Sequence, residues 1–337
     1  MKAFSQKLVD SWYKPIGIFW IFWPIEVIYI IFISTRRALY RFNFFPIYRA
    51  PCPVVIVGNI TVGGSGKTPV VIELVKNLQR RGVKVGVISR GYGSKRKSLP
   101  LIVNRDSEPL ECGDEPLLIH GKANCPVVVH NSRSRAAELL IDNFQPDLIL
   151  SDDGLQHYAL ARDLEIIMID DQRDLGNGHC LPVGPLREPK GRLRDSDLIL
   201  RRGGDEEMSV HYKPGIWKQL KATDKAKKFP SASSIHAVAG IGQPEQFFSM
   251  LEGMGLSITR FSYSDHHQYQ QSDFDKHAGK VVVMTEKDAV KCKNFDITDA
   301  WFIEITPTLP CEVIEKVYEL VAPKKINDNL AFNSEIA

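Results

Sequence analysis

The sequence predicts an α/β protein: a parallel sheet with helices on both faces, a second, smaller α/β domain, and an N-terminal membrane-associated helix. Three observations predict it. From residue 54 onward, short apolar runs alternate with amphipathic stretches, the pattern of strand–helix crossovers. A second alternating block begins near residue 234, after a polar interval. Residues 16–33, "IGIFWIFWPIEVIYIIFI", are apolar except for Glu26.

That first run has about the minimum length for a helix that spans a bilayer. Its twelve Ile, Val and Phe residues outweigh the single acid on an insertion scale. Pro24 predicts a kink, which membrane helices tolerate. No small-residue cleavage site follows in "STRRALYRF", so the segment is expected to be retained. Trp12, Tyr13, Trp20 and Trp23 suit a membrane interface. Lys2, Lys7 and Lys14 precede the run, and Arg36, Arg37, Arg41 and Arg49 follow it. Cations on both flanks leave two arrangements open: a span with a cytoplasmic C-terminal side, or a helix lying in the cytoplasmic leaflet.

The sheet is read in order. "VVIVGN" (54–59) is a buried strand ending in Gly and Asn. After a glycine-rich loop, "PVVIELVKNLQRRG" places Val71, Leu74, Val75 and Leu78 on one helical face, with Gly82 as its stop. "VKVGVIS" (83–89) and "CPVVVH" (125–130) are strands. The helix "NSRSRAAELLIDNF" (131–144) follows, capped by Asn131 or Ser132. "PDLILSDD", "LEIIMID" and "SDLILR" are three further strands. The later block contributes "SIHAVAGIG", "PEQFFSMLEGMG", "KVVVMTEKDAVK", "AWFIEIT" and "CEVIEKVYELVA". The expected division is an anchor and flanking segment at 1–49, a nucleotide-binding domain at 50–203, a polar linker at 204–233, a smaller α/β domain at 234–323, and a disordered tail at 324–337.

A chain of 337 residues accommodates two domains with filled cores. A net charge of +3 gives no case for nucleic acid, and no feature calls for an obligate protein partner. The six cysteines form no C-x-x-C pair, which argues for reduced cytosolic thiols over zinc or disulfides.

Chemistry concentrates in a few stretches. "TVGGSGKTP" (61–69) is a phosphate-binding loop in which Thr61 holds the usual first-glycine place. It lies between a strand and a helix, as such a loop requires, and makes the first domain P-loop NTPase-type. Gly63, Gly64, Ser65 and Gly66 can turn backbone N–H groups onto phosphates. The helix N-terminus adds its positive end. Lys67 would pair with the β- and γ-phosphates, and the Thr68 hydroxyl would sit on Mg²⁺.

"LILSDDGLQH" (148–157) is an apolar strand ending in two acids, Asp152 and Asp153, the pattern of a metal-holding carboxylate. Neighbours on a strand point to opposite faces, so one of the two is expected to reach the metal. "ECGDEP" offers Asp114 and Glu115; alone it reads as a turn with exposed acids. "SDHHQY" offers Asp265, His266 and His267, and a carboxylate with a histidine partner can act as a general base. Arg90 and Tyr92, Arg133 and Arg135, and the cluster of Arg187, Lys190, Arg192 and Arg194 could meet phosphates or an anionic head group. "TEKD" (285–288) places Lys287 one residue late for a guanine-binding N/T-K-x-D pattern, so guanine specificity is not read from it. A membrane-associated regulatory ATPase, a membrane-bound GTPase and an anchored scaffold are the competing classes.

Together, "VGNITVGGSGKTP", "SRGYG", "GDEP", "DDGLQH", "GPLREP", "DHH" and "TEKDAVK" closely resemble the tetraacyldisaccharide 4′-kinase family of the lipid A pathway in Gram-negative bacteria. The resemblance covers roughly residues 15–322. It implies transfer of a phosphoryl group from ATP, with Mg²⁺, to the 4′-hydroxyl of a tetra-acylated glucosamine disaccharide 1-phosphate, giving lipid IVA. It also implies action at the cytoplasmic face of the inner membrane. By motif, Asp114 would be the base and His266 its partner, and Asp152 or Asp153 would hold the metal. Arg90, Tyr92, Glu115, Arg133, Gln156, His157 and Arg187 would lie around the phosphate or head group. The family's own Thr or Ser in the first-glycine place matches Thr61.

Overall fold

The computed structural model describes residues 9, 11–13, 18–92, 99–221, 229–230 and 235–322. Lys2, Lys7, Lys14 and the tail 324–337 lie outside them. The described strands form one sheet. In chain order they are β1 Val54–Gly58, β2 Val85–Ser89, β3 Leu101–Ile102, β4 Val127–Val129, β5 Leu148–Asp152, β6 Leu164–Asp170, β7 Leu198–Arg202, β8 Ser209–Gln219, β9 Ile235–Ala239, β10 Ile258–Ser262, β11 Val281–Met284 and β12 Ala300–Thr308. Their spatial order is β10-β9-β11-β12-β8-β7-β6-β1-β5-β2-β4-β3. All neighbouring pairs are parallel except β12 with β8 and β3 with β4.

Alternation along β1 builds both layers of the first half. Val55 and Val57 face a core shared with helices α2 Lys67–Arg80, α3 Asp114–Ala123 and α7 Cys311–Glu319. Val54 and Ile56 face the opposite core, shared with α4 Arg133–Phe144. Val71, Leu74, Val75 and Leu78 of α2 are fully buried, each contributing roughly 1.5–3 kcal/mol over an exposed position. Ser132 caps α4, its hydroxyl accepting from Arg135 N. In the second half, α5 Pro244–Gly253 packs on one face of β9 and β11, and α6 Glu286–Cys292 on the other.

Three local readings are corrected. Residues 114–123 form a helix rather than an exposed turn, and Asp114 is buried at its start. The interval 204–233 holds β8, whose polar outward residues hide its pairing with β12. Pro24 stands in the first turn of the N-terminal helix, α1 Trp23–Arg41, so it starts the helix instead of kinking it.

The apolar run divides into a 3₁₀ turn, Ile18–Phe22, and α1, which continues into Arg36, Arg37 and Arg41. No helix among the described residues is long and apolar enough to cross a membrane. Glu26 does not face outward. It is buried against the body, accepting from Cys180 N at 2.6 Å and meeting His179 Nδ1 at 3.0 Å. On the same inner face the Tyr29 hydroxyl donates to Arg187 O and Arg36 donates to Gln156 O. Trp12 is likewise buried, its indole N–H on Pro182 O.

Candidate active site

β1 delivers the chain through Asn59, which is fully buried, into the glycine-rich loop. Gly63 and Gly66 have φ of 111° and 79°, the left-handed region that glycine enters without strain. Gly66 has a second constraint: a Cβ there would lie 2.6 Å from the Tyr212 hydroxyl, which itself donates to Gly66 O at 2.7 Å. The loop opens directly into α2, so its N–H groups and the helix N-terminus converge on one spot. Lys67 Nζ is held by Asn59 Oδ1 at 3.1 Å, by Ser65 Oγ at 3.4 Å and by the Asp153 carboxylate at 3.4 Å. Thr68 is nearly buried in the first turn of α2. Thr61 makes an isolated bridge with Leu186, which ties the loop to the segment carrying Arg187.

The two acids at the end of β5 have separate environments. Asp153 leaves the strand with φ 49° and pairs with Arg187 at 3.1 Å. Burial works to raise its carboxyl, but Lys67 and Arg187 outweigh that and hold it well below the usual range. Asp152 is 1% exposed, and neither of its oxygens has a hydrogen-bond partner among the described residues. Burial first, with Glu115 adding to it, pushes its carboxyl up to about 7. A buried, unpartnered carboxylate beside a phosphate loop suits a hard cation, because removing carboxylate charge from water is otherwise costly. Among the described residues no cluster of three or more His, Cys, Asp or Glu could hold a metal alone. Mg²⁺ asks for no such cluster, binding by one or two carboxylates plus phosphates.

Around these acids lies a polar ring. Arg187 also reaches Gln156 Oε1 at 3.4 Å, and Gln156 Nε2 donates to Glu188 at 3.0 Å and to Asn59 O at 3.3 Å. Arg133 is buried and turned to backbone: it donates to the carbonyls of His130, Asp152 and Asp153. Its place is therefore beneath the acid pair, fixing their peptide planes. Burial, then Arg133 and Arg90, depress His157 to about 3, so its imidazole is neutral at physiological pH. Arg90 is exposed, as is Tyr92, whose ring stands 4.7 Å from that of His266.

Asp114 and His266 meet. His266 Nδ1 lies 3.0 and 3.1 Å from the two Asp114 oxygens. Gly113, with φ 89°, permits this: a Cβ there would be 2.8 Å from Tyr92 O. Burial would raise the Asp114 carboxyl, but the His266 hydrogen bond and the Lys287 charge pull it down to about 2. Asp114 in turn raises the His266 imidazole against burial and Lys287. His267 is engaged elsewhere, 3.0 Å from Asp273. The second half also touches the loop directly. Gln243 Nε2 donates to Gly64 O at 2.7 Å. A Cβ on Gly242 would lie 3.1 Å from Gly64 N and 3.3 Å from the Asp265 carboxylate. Gly242 thus lies between the phosphate loop and Asp265, the neighbour of His266.

Residues 18–322 match the family described as Tetraacyldisaccharide-1-P 4′-kinase. The chain belongs to that family. A tetraacyldisaccharide 4′-kinase of Haemophilus influenzae is 44% identical over 309 residues, 90% of this chain and 92% of that protein. One from Coxiella burnetii is 43% identical over 314 residues, 92% of this chain and 94% of the other. The crystal structure of an "apo" form LpxK from Aquifex aeolicus in complex with ATP has a TM-score of 0.76 at 27% identity, covering 90% of this chain and 100% of that one. The mixed α/β class with a large, mostly parallel sheet is common to both.

In this tetraacyldisaccharide-1-P 4′-kinase family member, the site includes side chains that the sequence reading passes over. Asn59 and Glu188 carry a signal: Asn59 ends the strand that leads into the glycine loop, and Glu188 follows Arg187 in "GPLREP". Gln243 and Tyr212 carry none, since their partners Gly64 and Gly66 are 179 and 146 residues away.

Proposed function

We propose that the protein transfers the γ-phosphoryl group of ATP to the 4′-hydroxyl of a tetraacyldisaccharide 1-phosphate, giving lipid IVA in lipid A biosynthesis. The observation that carries this reading is the Asp114–His266 contact, made by a loop whose Asp265 adjoins Gly242, the glycine set against Gly64 of the phosphate loop. A regulatory ATPase that only hydrolyses has no need of a dedicated carboxylate–imidazole base for an alcohol. Family membership supports the acceptor's identity. The test is ADP release measured with and without lipid acceptor. Release that depends on the acceptor supports a kinase; equal release in its absence supports a hydrolysing switch.

In the proposed chemistry, the Asp114 carboxylate takes the proton of the 4′-hydroxyl as that oxygen bonds the γ-phosphorus. The bond to the β-phosphate oxygen breaks and ADP leaves. Lys67 turns from Asn59 and Asp153 to the β- and γ-phosphates, while the loop N–H groups of Gly63, Gly64, Ser65 and Gly66 hold the phosphate oxygens. Asp152 and the Thr68 hydroxyl would hold Mg²⁺, with Asp153 beside them; the ion, when bound, neutralises charge on the β- and γ-oxygens. Arg187 and Gln156 border the transferring group, Arg133 fixes the acid pair, and His157 packs beside it in neutral form. Arg90, Tyr92 and Glu115 line the acceptor side.

Approach to the acceptor is the part played by α1. Ile21, Ile25, Ile28 and Phe32 recur at helical spacing and are 77%, 51%, 67% and 65% exposed, with Ile31 at 60%. An apolar stripe of this kind on a helix whose other face is pinned by Glu26, Tyr29 and Arg36 suits a helix lying in a leaflet. The acyl chains of the substrate stay in that leaflet, so anchoring raises the effective concentration. The site then works on the cytoplasmic side of the inner membrane, where ATP is present. We read 1–49 as anchor, 50–203 as nucleotide domain, 204–233 as the linker that carries β8, and 234–323 as the closing domain. Replacing Ile28 and Ile31 together by Glu is expected to cost about tenfold or more in activity on vesicle-embedded substrate, since each buried Ile contributes roughly 1.5–3 kcal/mol. Activity on detergent-dispersed substrate should stay within about twofold. Equal loss in both would mean that the stripe serves the fold.

A further inference from the structure

Lys287, which did not fit a guanine-binding motif, has a place in the structure. It is the second residue of α6, whose cap Thr285 accepts from Asp288 N. Asp288, fully buried, also receives Gly240 N at 2.9 Å and pairs with Lys291. The backbone that carries Lys287 is therefore fixed within the second half of the sheet. Its side chain crosses to the first. Nζ lies 2.8 Å from Glu115 Oε1, 3.9 Å from Asp114 Oδ2 and 3.4 Å from His266 Nε2.

We propose that Lys287 is a positioning residue that fixes the tautomer of His266 and keeps the Asp114–His266 pair free to accept one proton. An ammonium has three donors and no acceptor. The imidazole nitrogen facing it, Nε2, must present its lone pair. A neutral His266 then carries its hydrogen on Nδ1, facing the Asp114 carboxylate, which only accepts. A second proton on His266 would set Nε2–H against Nζ–H. Burial alone would favour losing the Lys287 proton, but Glu115 and Asp114 hold it on firmly, so the ammonium is permanent over the working range. Glu115 keeps it in place and offsets part of its charge.

Among the described residues, the other charged or titratable groups near the pair are Lys291 from α6, Asp265 from the preceding loop, the Cys112 thiol just before α3, and Tyr92, whose ring lies 4.7 Å from that of His266. Asp265 favours protonation of the pair and Lys291 opposes it, while the Cys112 thiol, pushed up to about 12 by burial, carries no charge. Among the described residues, Lys287 is the cation in direct contact. Removing its charge raises the basicity of both His266 and Asp114, so the pair takes up its first proton at a higher pH. The acid limb of the rate profile must then move upward.

The inference rests on the kinase reading, and one experiment separates their failures. kcat/KM for the lipid acceptor is measured against pH with ATP, Mg²⁺ and detergent-dispersed tetraacyldisaccharide 1-phosphate. The enzymes are wild type, Lys287→Met, Lys287→Gln and Lys287→Arg, and ATP affinity is measured in parallel. Lys287→Met and Lys287→Gln should move the acid limb up by about one pH unit and lower kcat/KM on that limb about tenfold. ATP affinity should be retained. Lys287→Arg should restore the wild-type limb. Reduced rates with the limb unmoved would overturn the inference and leave Lys287 a packing residue. If Met fails to bind ATP, the Gln variant, which keeps a donor without the charge, decides by the same limb. No transfer to lipid by the wild type would remove the kinase reading and this inference with it.

Discussion

Asp114→Ala should lose phosphoryl transfer while still binding ATP. A positioned general base is worth typically 10²–10⁴-fold in rate, and a drop in kcat on that order is expected. The affinity for ATP should be little changed. Among the described residues, the partners of Asp114 are His266, Lys287 and Glu115 N rather than the glycine loop. Its carboxyl, drawn down to about 2, is ionised throughout the working range and ready to accept. Such a carboxylate is a weak base in the ground state. Its partner His266 holds it in place, donating Nδ1–H across a 3.0 Å contact. His266→Ala should therefore fall in the same direction by a smaller factor, within the same 10²–10⁴-fold bound. Equilibrium binding of ATP and steady-state kcat check both. Simultaneous loss of binding and transfer in Asp114→Ala would assign it to structure or metal instead.

Lys67→Ala should lower kcat by about 10²–10³-fold, the usual cost of removing one preorganised donor from a developing oxyanion. The side chain is already poised: Asn59, Ser65 and Asp153 hold its ammonium within 3.4 Å. Little reorganisation separates this arrangement from one on phosphate. Removing the charge also takes one of the two ion pairs Asp153 makes among the described residues, so the acid pair should loosen. Measured turnover equal to wild type would sink the assignment of residues 61–69 as a phosphate loop.

Much of this was legible along the chain, for a physical reason. Parallel strands covered on both faces are near-continuous apolar runs, and β1, β2, β5 and β6 are wholly buried in that way. The phosphate loop is readable because its donors are consecutive. What escaped lay outside local pattern. α3 is short and buried on several sides, with Pro116 in its first turn, so it has no clean amphipathic period. β8 is half exposed and gains its partner β12 from about ninety residues on. The Asp114–His266 contact spans 152 residues; only the family resemblance suggested it, and nothing in the spacing could. Glu26 was misread for the converse reason. A hydropathy sum counts an acid as a cost, whereas its burial against Cys180 N and His179 makes it the pin of α1.

We propose that an alcohol on a lipid, activated by Asp114, receives phosphate from ATP bound at the glycine loop. The most direct measurement supplies ATP labelled in its γ-phosphate, with Mg²⁺, to wild type and Asp114→Ala in the presence of detergent-dispersed tetraacyldisaccharide 1-phosphate. Label is expected in the lipid with wild type and at background with Asp114→Ala. Label released only as inorganic phosphate, with none in the lipid, would contradict the kinase account and leave a membrane-bound ATPase in its place.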